Sequence, residues 1–239
     1  MSLIKHATMR RLLSAIAVSA ALIVSGYAQA DDLGKNQPTP WPVTSFPKTL
    51  SKDCRDGTAR VYDECGSQQN IIKAAQAEAI AKGKTTLVVY GAEWCVWCHI
   101  FDDLVKGDFA PEYFEWVRDD KAGKWQMQAH VNTGAEAQAR ALNQFVSEHF
   151  VIAHIEGDHA PDGPATISSL GFDESDVNFY PFIFTLNPEG QYVEHMLAYK
   201  AMPHNDSRKN KDGQPLNEFN RDVLLNQLER LKNSMQLPR

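Results

Sequence analysis

The stretch Thr85-Thr86-Leu87-Val88-Val89-Tyr90-Gly91-Ala92-Glu93-Trp94-Cys95-Val96-Trp97-Cys98-His99 decides how this chain is read. Thr85 to Tyr90 is a short β-branched and aromatic run bounded by Gly83 and Gly91, the pattern of a buried strand. A helix is predicted to begin at the cysteines and run to about Val105, where Lys106-Gly107 breaks it. Cys-x-x-Cys on the first turn of a helix places two sulfurs, i and i+3, on one face. The free amides and the dipole at a helix N-terminus stabilise the thiolate of the first cysteine. Cys95 is then expected to be the exposed nucleophile, and Cys98, one turn deeper, the thiol that resolves a mixed disulfide. The strand running into the motif is the context that a bare Cys-x-x-Cys lacks.

Upstream, residues 67–82 read as a helix: Ser67 can cap it, Ile72, Ala75 and Ala79 recur at helical spacing, and Gly83 ends it. Residues 31 to about 51, with Pro38, Pro40, Pro42 and Pro47, read as an extended arm or linker. Downstream, 107–137 holds Phe109, Tyr113, Phe114, Trp116 and Trp125 among charged residues and glycines, and reads equally as a docking surface or a subdomain core. Ala139, Leu142, Phe145, Val146 and His149 line one face of a helix, and Phe150 to Ile155 is a strand. A short helix is expected over 164–170. Phe182 to Leu186 and Gln191 to about Ala198 form a hairpin around Asn187-Pro188-Glu189-Gly190. Residues 201–215 read as a loop, and Leu216, Phe219, Val223, Leu224, Leu228 and Leu231 as the stripe of a last helix. Helices alternating with strands imply an α/β layer structure.

The N-terminus decides which compartment the cysteines see. Lys5, Arg10 and Arg11, the apolar run Leu12 to Val24, and Ala28-Gln29-Ala30 make up a secretory signal peptide, cleaved near Ala30. The apolar run is shorter than the roughly 20 residues that span a bilayer, so no membrane insertion is expected after cleavage. The product is expected to be periplasmic or secreted. Without residues 1–30, which carry three basic residues and no acidic ones, the 24 Lys+Arg fall to 21 against 30 Asp+Glu, a formal charge of −9. That balance argues against nucleic acid or an anionic membrane as partner, since both need a basic face. In an oxidising compartment Cys54 and Cys65, with ten residues of polar sequence between them, read as a loop staple, with a second redox relay as the alternative.

The likeness to a known family extends beyond the motif. Val88 to Cys95 resembles the strand-to-active-site passage of the thioredoxin family, including Ala92-Glu93-Trp94 before the first cysteine. Tyr180-Pro181-Phe182-Ile183-Phe184 and Asn187-Pro188-Glu189-Gly190 resemble its cis-proline strand and hairpin. The resemblance covers about 85–106 and 150–235. It implies an α/β thioredoxin fold, a central mixed sheet flanked by helices, with Pro181 cis against the cysteines and Tyr180 beside it. It also implies thiol–disulfide exchange on exported protein thiols and disulfides, an unidentified redox partner, and no bound cofactor or metal. The expected boundaries are a signal peptide over 1–30, an arm over 31–66 with a Cys54–Cys65 disulfide, and a domain over 67–239 with an insertion at about 107–149. Trp94, Val96, Trp97, Tyr180 and Pro181 are expected to meet the client, with packing of the helix start as the alternative role for Trp97. Two departures stand out. The family's buried acid, six positions before the first cysteine, is Val89 here, and Val96-Trp97 lacks the proline common in reducing members.

Two further readings come from other classes. Cys95-Val96-Trp97-Cys98-His99 matches the Cys-x-x-Cys-His of c-type haem attachment, with Met127, Met196 or Met202 as distal ligand. A thioredoxin-fold binding or metal-handling module would use Cys95 and Cys98 as ligands, joined by His154-Ile155-Glu156-Gly157-Asp158-His159. That last segment also reads as a strand end entering a polar turn.

Overall fold

The apolar run Thr85–Gly91 forms strand β2, all seven residues of which are buried. In this computed structural model the described residues are 40–107, 113–119, 123–130, 136–172, 175, 177–196, 204–209 and 215–235, with the backbone alone over 113–119, 124–130, 136, 204–209 and 215–218. The signal-peptide reading, with Ala30, lies outside them, as do Phe109 and Met202.

Alternation along β2 turns Leu87 and Val89 to one face and Val88 and Tyr90 to the other. Its neighbours are β5 (Phe150–Glu156), which is parallel, and β6 (Phe182–Leu186), which is antiparallel. β1 (Thr44–Phe46) adds parallel to β5, and β7 (Tyr192–His195) antiparallel to β6, giving the order β1-β5-β2-β6-β7. The proline-rich arm thus supplies an edge strand, a position proline tolerates.

On the Val88/Tyr90 face, α1 (Gln68–Lys82) lays Ile71, Ile72, Ala75 and Ala79 against the sheet, beside Ile167 of α4 (Gly163–Ser169). Ser67 Oγ caps α1 by accepting the Asn70 amide, and Gly83, at φ 63°, closes it in the left-handed conformation. On the other face Leu87 and Val89 meet three helices: α2 (Val96–Val105), α3 (Glu136–His149) and α5 (Arg221–Ser234). Phe101, Leu104, Leu142, Val146, Leu224 and Leu228 fill this layer with no exposed surface, each burial contributing roughly 1.5–3 kcal/mol. The expected insertion of 107–149 takes in α3, which packs in the same core as α2 and α5. This mixed sheet with helices on both faces is the α/β thioredoxin fold.

A second, four-stranded antiparallel sheet has the order β4-β3-β9-β8. It joins the hairpin β3 (Tyr113–Asp119) and β4 (Lys124–His130) to β9 (Pro215–Glu218) and β8 (His204–Lys209). Residues 201–215, expected as a loop, therefore carry a strand, and Leu216 lies in β9 rather than in the last helix. That helix starts later because Asn220 Oδ1 caps it by accepting the Val223 amide, which leaves Phe219 before the cap. In the β6–β7 hairpin the partner strand covers 192–195 of the expected 191–198, and 197–198 lie outside the described residues.

Candidate active site

The chain leaves β2 through Gly91-Ala92-Glu93-Trp94 and enters α2 with Cys95 as its N-cap. Cys95 Sγ accepts the Cys98 amide at 3.3 Å, so the sulfur occupies the place of a capping oxygen and faces the free amides of the first turn. Cys95 and Cys98 are disulfide-bonded, with Cα atoms 5.3 Å apart. Cys95 retains 4% exposure and Cys98 none.

Around the pair the structure gathers Trp97 and Tyr180, which pack against the two cysteines together with Val61. Trp97 is half-buried, with its ring edge-on to Phe219 at 5.6 Å, so it packs the helix start. Val96 is half-buried against the α2 core. Trp94 differs: it is 63% exposed, tilted over Tyr180 at 6.0 Å, and its Nε1 donates to Asp158 Oδ2 at 2.8 Å. Trp94, Phe179, Tyr180 and Val177 wall a groove of about 590 Å³. Trp94 also lines a second, polar cavity of about 640 Å³, together with Val96, Arg60, Glu64, His99 and His159. The Tyr180–Pro181 peptide is cis, and Pro181 is buried at the start of β6. A second cis peptide joins Phe46 and Pro47.

Glu93 is a residue that sequence reasoning passed over. Its carboxylate accepts the backbone amides of Arg60 at 2.8 Å, Val61 at 3.1 Å and Tyr62 at 2.8 Å. The loop carrying those amides is closed by a Cys54–Cys65 disulfide, Cα–Cα 5.8 Å, and further held by Arg55 on Glu64 at 3.3 Å. A closure of this length stabilises by about 2–3 kcal/mol. Glu93 therefore moors the stapled loop directly beside Cys95. Its own amide donates to Glu156 Oε2 at 2.8 Å, and Glu156 Oε1 accepts the amides of Asp158 and His159. Glu156 is fully buried and its carboxylate organises the turn after β5.

The other polar residues of interest are similarly engaged. His99 Nε2 donates to the Glu93 carbonyl oxygen at 2.5 Å, and Met196 is buried in the core beside Ile183. His159 stands 3.6 Å from Asp158 and 3.9 Å from Glu64. Among the described residues no three His, Cys, Asp or Glu side chains are grouped to hold a metal ion.

Beneath α2, Asp102 and His154 are buried together, His154 Nε2 lying 3.2 Å from Asp102 Oδ1. The distance is that of an ion pair, but neither atom has a well-directed hydrogen bond. Lys106 Nζ reaches Asp102 Oδ2 at 2.5 Å. Burial pushes the Asp102 carboxyl up, but the closeness and charge of His154, followed by Lys106, outweigh it and hold the group below its usual range. A depressed folded-state value gives stability that is complete above the ordinary carboxylate value, about 3.9, and lost as pH falls through the depressed one. Asp102→Asn is expected to lower stability at pH 7 and to flatten the fall in stability below about pH 4. Urea unfolding at several pH values checks this; parallel curves for the two proteins would contradict it.

Sheet and site together define a class: a thioredoxin-fold chain with a disulfide-bonded Cys-x-x-Cys at the start of the helix that follows its central strand. No family model matches the sequence, and no curated protein matches it. Among solved structures the chain is similar to a disulphide isomerase from Xylella fastidiosa Temecula1, with a TM-score of 0.37 and 19% identity, over 58% of this chain and 80% of that one.

Proposed function

We propose that this protein is an exported thiol–disulfide oxidoreductase acting on the thiols and disulfides of other exported proteins. The observation that supports this most is the setting of Cys95–Cys98, a closed pair at a helix N-terminus whose first cysteine keeps 4% exposure and whose neighbour Trp94 lines two cavities. A client thiolate attacks Cys95 Sγ, the Cys95–Cys98 bond breaks, and Cys98 leaves as a thiolate. A second client thiolate then attacks the client sulfur of the mixed disulfide. It releases the client disulfide and leaves the pair reduced, with both electrons on Cys95 and Cys98. Run backwards, the same steps reduce a client. Trp94, Val96, Tyr180 and Pro181 would meet the client chain, its apolar side chains seating in the aromatic groove. A separate redox partner resets the pair, and no organic cofactor takes part.

Equilibration in glutathione buffers, acid quenching, alkylation and mass mapping tests this reading. Cys95–Cys98 is expected to interconvert between disulfide and dithiol within about −270 to −120 mV, while Cys54–Cys65 stays closed. Opening of Cys54–Cys65 before Cys95–Cys98 would overturn the assignment of the two pairs.

A further inference from the structure

Tyr62 is the one fully buried tyrosine side chain whose hydroxyl has no hydrogen-bond partner among the described residues. Its position is fixed at both ends. Its amide donates to Glu93 Oε2, and its ring stands edge-on to His154 at 5.3 Å and 78°. A buried donor without a partner is destabilising and calls for an explanation. The explanation lies across Gly91. A β-carbon there would stand 2.9 Å from Tyr62 Oη and 2.6 Å from Cys98 Sγ. The hydroxyl and the sulfur thus share the space that glycine leaves open. Tyr62, Cys95 and Cys98 also form one buried cluster.

In the disulfide, Cys98 Sγ is a weak acceptor, and the hydroxyl gains little from it. In the dithiol, and more so in the thiolate, the same sulfur becomes a better acceptor. We propose that Tyr62 donates its hydroxyl hydrogen bond to Cys98 Sγ when the pair is reduced, and so draws the redox equilibrium toward the dithiol. This rests on the reading of Cys95–Cys98 as a redox pair, and it makes that pair a stronger oxidant of its clients. Tyr62 carries no electron and gives up no proton. Two client thiols become a disulfide, Cys95–Cys98 opens, and the two client protons balance the two new thiols.

The charged groups nearby favour this role. Asp102 on α2 and Glu156 at the end of β5 act on the phenol, as does Glu93 before α2; Lys106 and His154 accompany Asp102. Burial first, then the charges of Asp102, Glu156 and Glu93, hold the phenol well above its usual range, so it remains a donor. The sheet offers no carboxylate beneath α2 at position 89, where Val89 is fully buried.

Tyr62→Phe removes the O–H and keeps the ring. The oxidised variant is expected to be at least as stable as the wild type, because its only loss is an unpartnered donor. Its equilibrium with glutathione is expected to shift about tenfold toward the disulfide, a potential about 30 mV more negative for this two-electron couple. A tyrosine that only fills space leaves the potential unmoved, so an unchanged constant, or a shift toward the dithiol, overturns the proposal. In wild-type protein carrying tyrosine labelled at the phenolic carbon, reduction should shift one buried resonance; no shift also overturns it. Wild-type protein that does not exchange with glutathione at Cys95–Cys98 overturns the proposed function and this inference with it. Exchange in the wild type beside an unchanged Tyr62→Phe equilibrium overturns the hydrogen bond alone.

Discussion

Cys95→Ser is expected to abolish exchange with protein clients, whereas Cys98→Ser should complete the first step and trap the client on Cys95. The asymmetry follows from where each sulfur sits. Cys95 is the cap of α2 and keeps a 4% exposure that Cys98 lacks, with free backbone amides in front of its sulfur. An anion at that position gains about 0.3–1 kcal/mol from the helix terminus, which favours Cys95 as the attacking sulfur. Cys98 has no exposed surface and lies among Tyr62, Ala92 and Trp97. No client sulfur can reach it without displacing that packing. Its part is to attack Cys95 within the mixed disulfide, so removing it leaves the adduct unresolved. Expressing both variants in an exporting host, quenching with acid, blocking thiols and running non-reducing gels reads the outcome. Reducible adducts should accumulate with Cys98→Ser and be nearly absent with Cys95→Ser. Adducts chiefly on Cys95→Ser would reverse the roles, and none on either would point to a binding module.

Glu93→Ala is expected to unmoor the stapled loop and to lower stability by about 2–4 kcal/mol. Three amides, those of Arg60, Val61 and Tyr62, converge on this one carboxylate. Hydrogen bonds to a charged acceptor contribute about 1.5–3 kcal/mol each, but the Arg60 amide is exposed and can turn to water. The Val61 and Tyr62 amides are part-buried and bear most of the loss. Glu93→Gln keeps one carbonyl acceptor of the two oxygens, so its loss should be about half as large. Because the same carboxylate fixes Tyr62 beside Cys98, the alanine variant should also move the redox equilibrium in the direction of Tyr62→Phe. Urea unfolding of the oxidised proteins checks the first effect. A midpoint equal to the wild type would show that the disulfide at Cys54–Cys65 alone holds the loop.

How much of this was legible in the sequence depends on the range of the forces involved. The strand before the cysteines and the helix after them were readable because both are written locally, in a β-branched run, a glycine and an apolar helical face. The α1 caps, Ser67 and Gly83, were legible for the same reason. Residues 204–218 were read as loop and helix because β9 forms by pairing with β3, about a hundred residues earlier, and β8 by pairing with β9, and polar sequence carries no trace of such partners. The cysteines announced themselves, but their setting did not. Glu93 bonds amides 31 to 33 residues away, and Asp102 on α2 meets a histidine of β5. An unpartnered hydroxyl at Tyr62 is a property of three-dimensional packing and leaves no mark in spacing or periodicity.

The most direct test of the central claim is a stoichiometric transfer. The oxidised protein is mixed with one equivalent of an unfolded, fully reduced polypeptide that carries two cysteines. After acid quenching and alkylation, every sulfur in both chains is mapped by mass spectrometry. Disulfide lost from Cys95–Cys98 is expected to reappear, bond for bond, in the polypeptide, through a transient adduct on Cys95, with Cys54–Cys65 untouched. A polypeptide that stays reduced beside an intact Cys95–Cys98, or one oxidised at the expense of Cys54–Cys65, would contradict it.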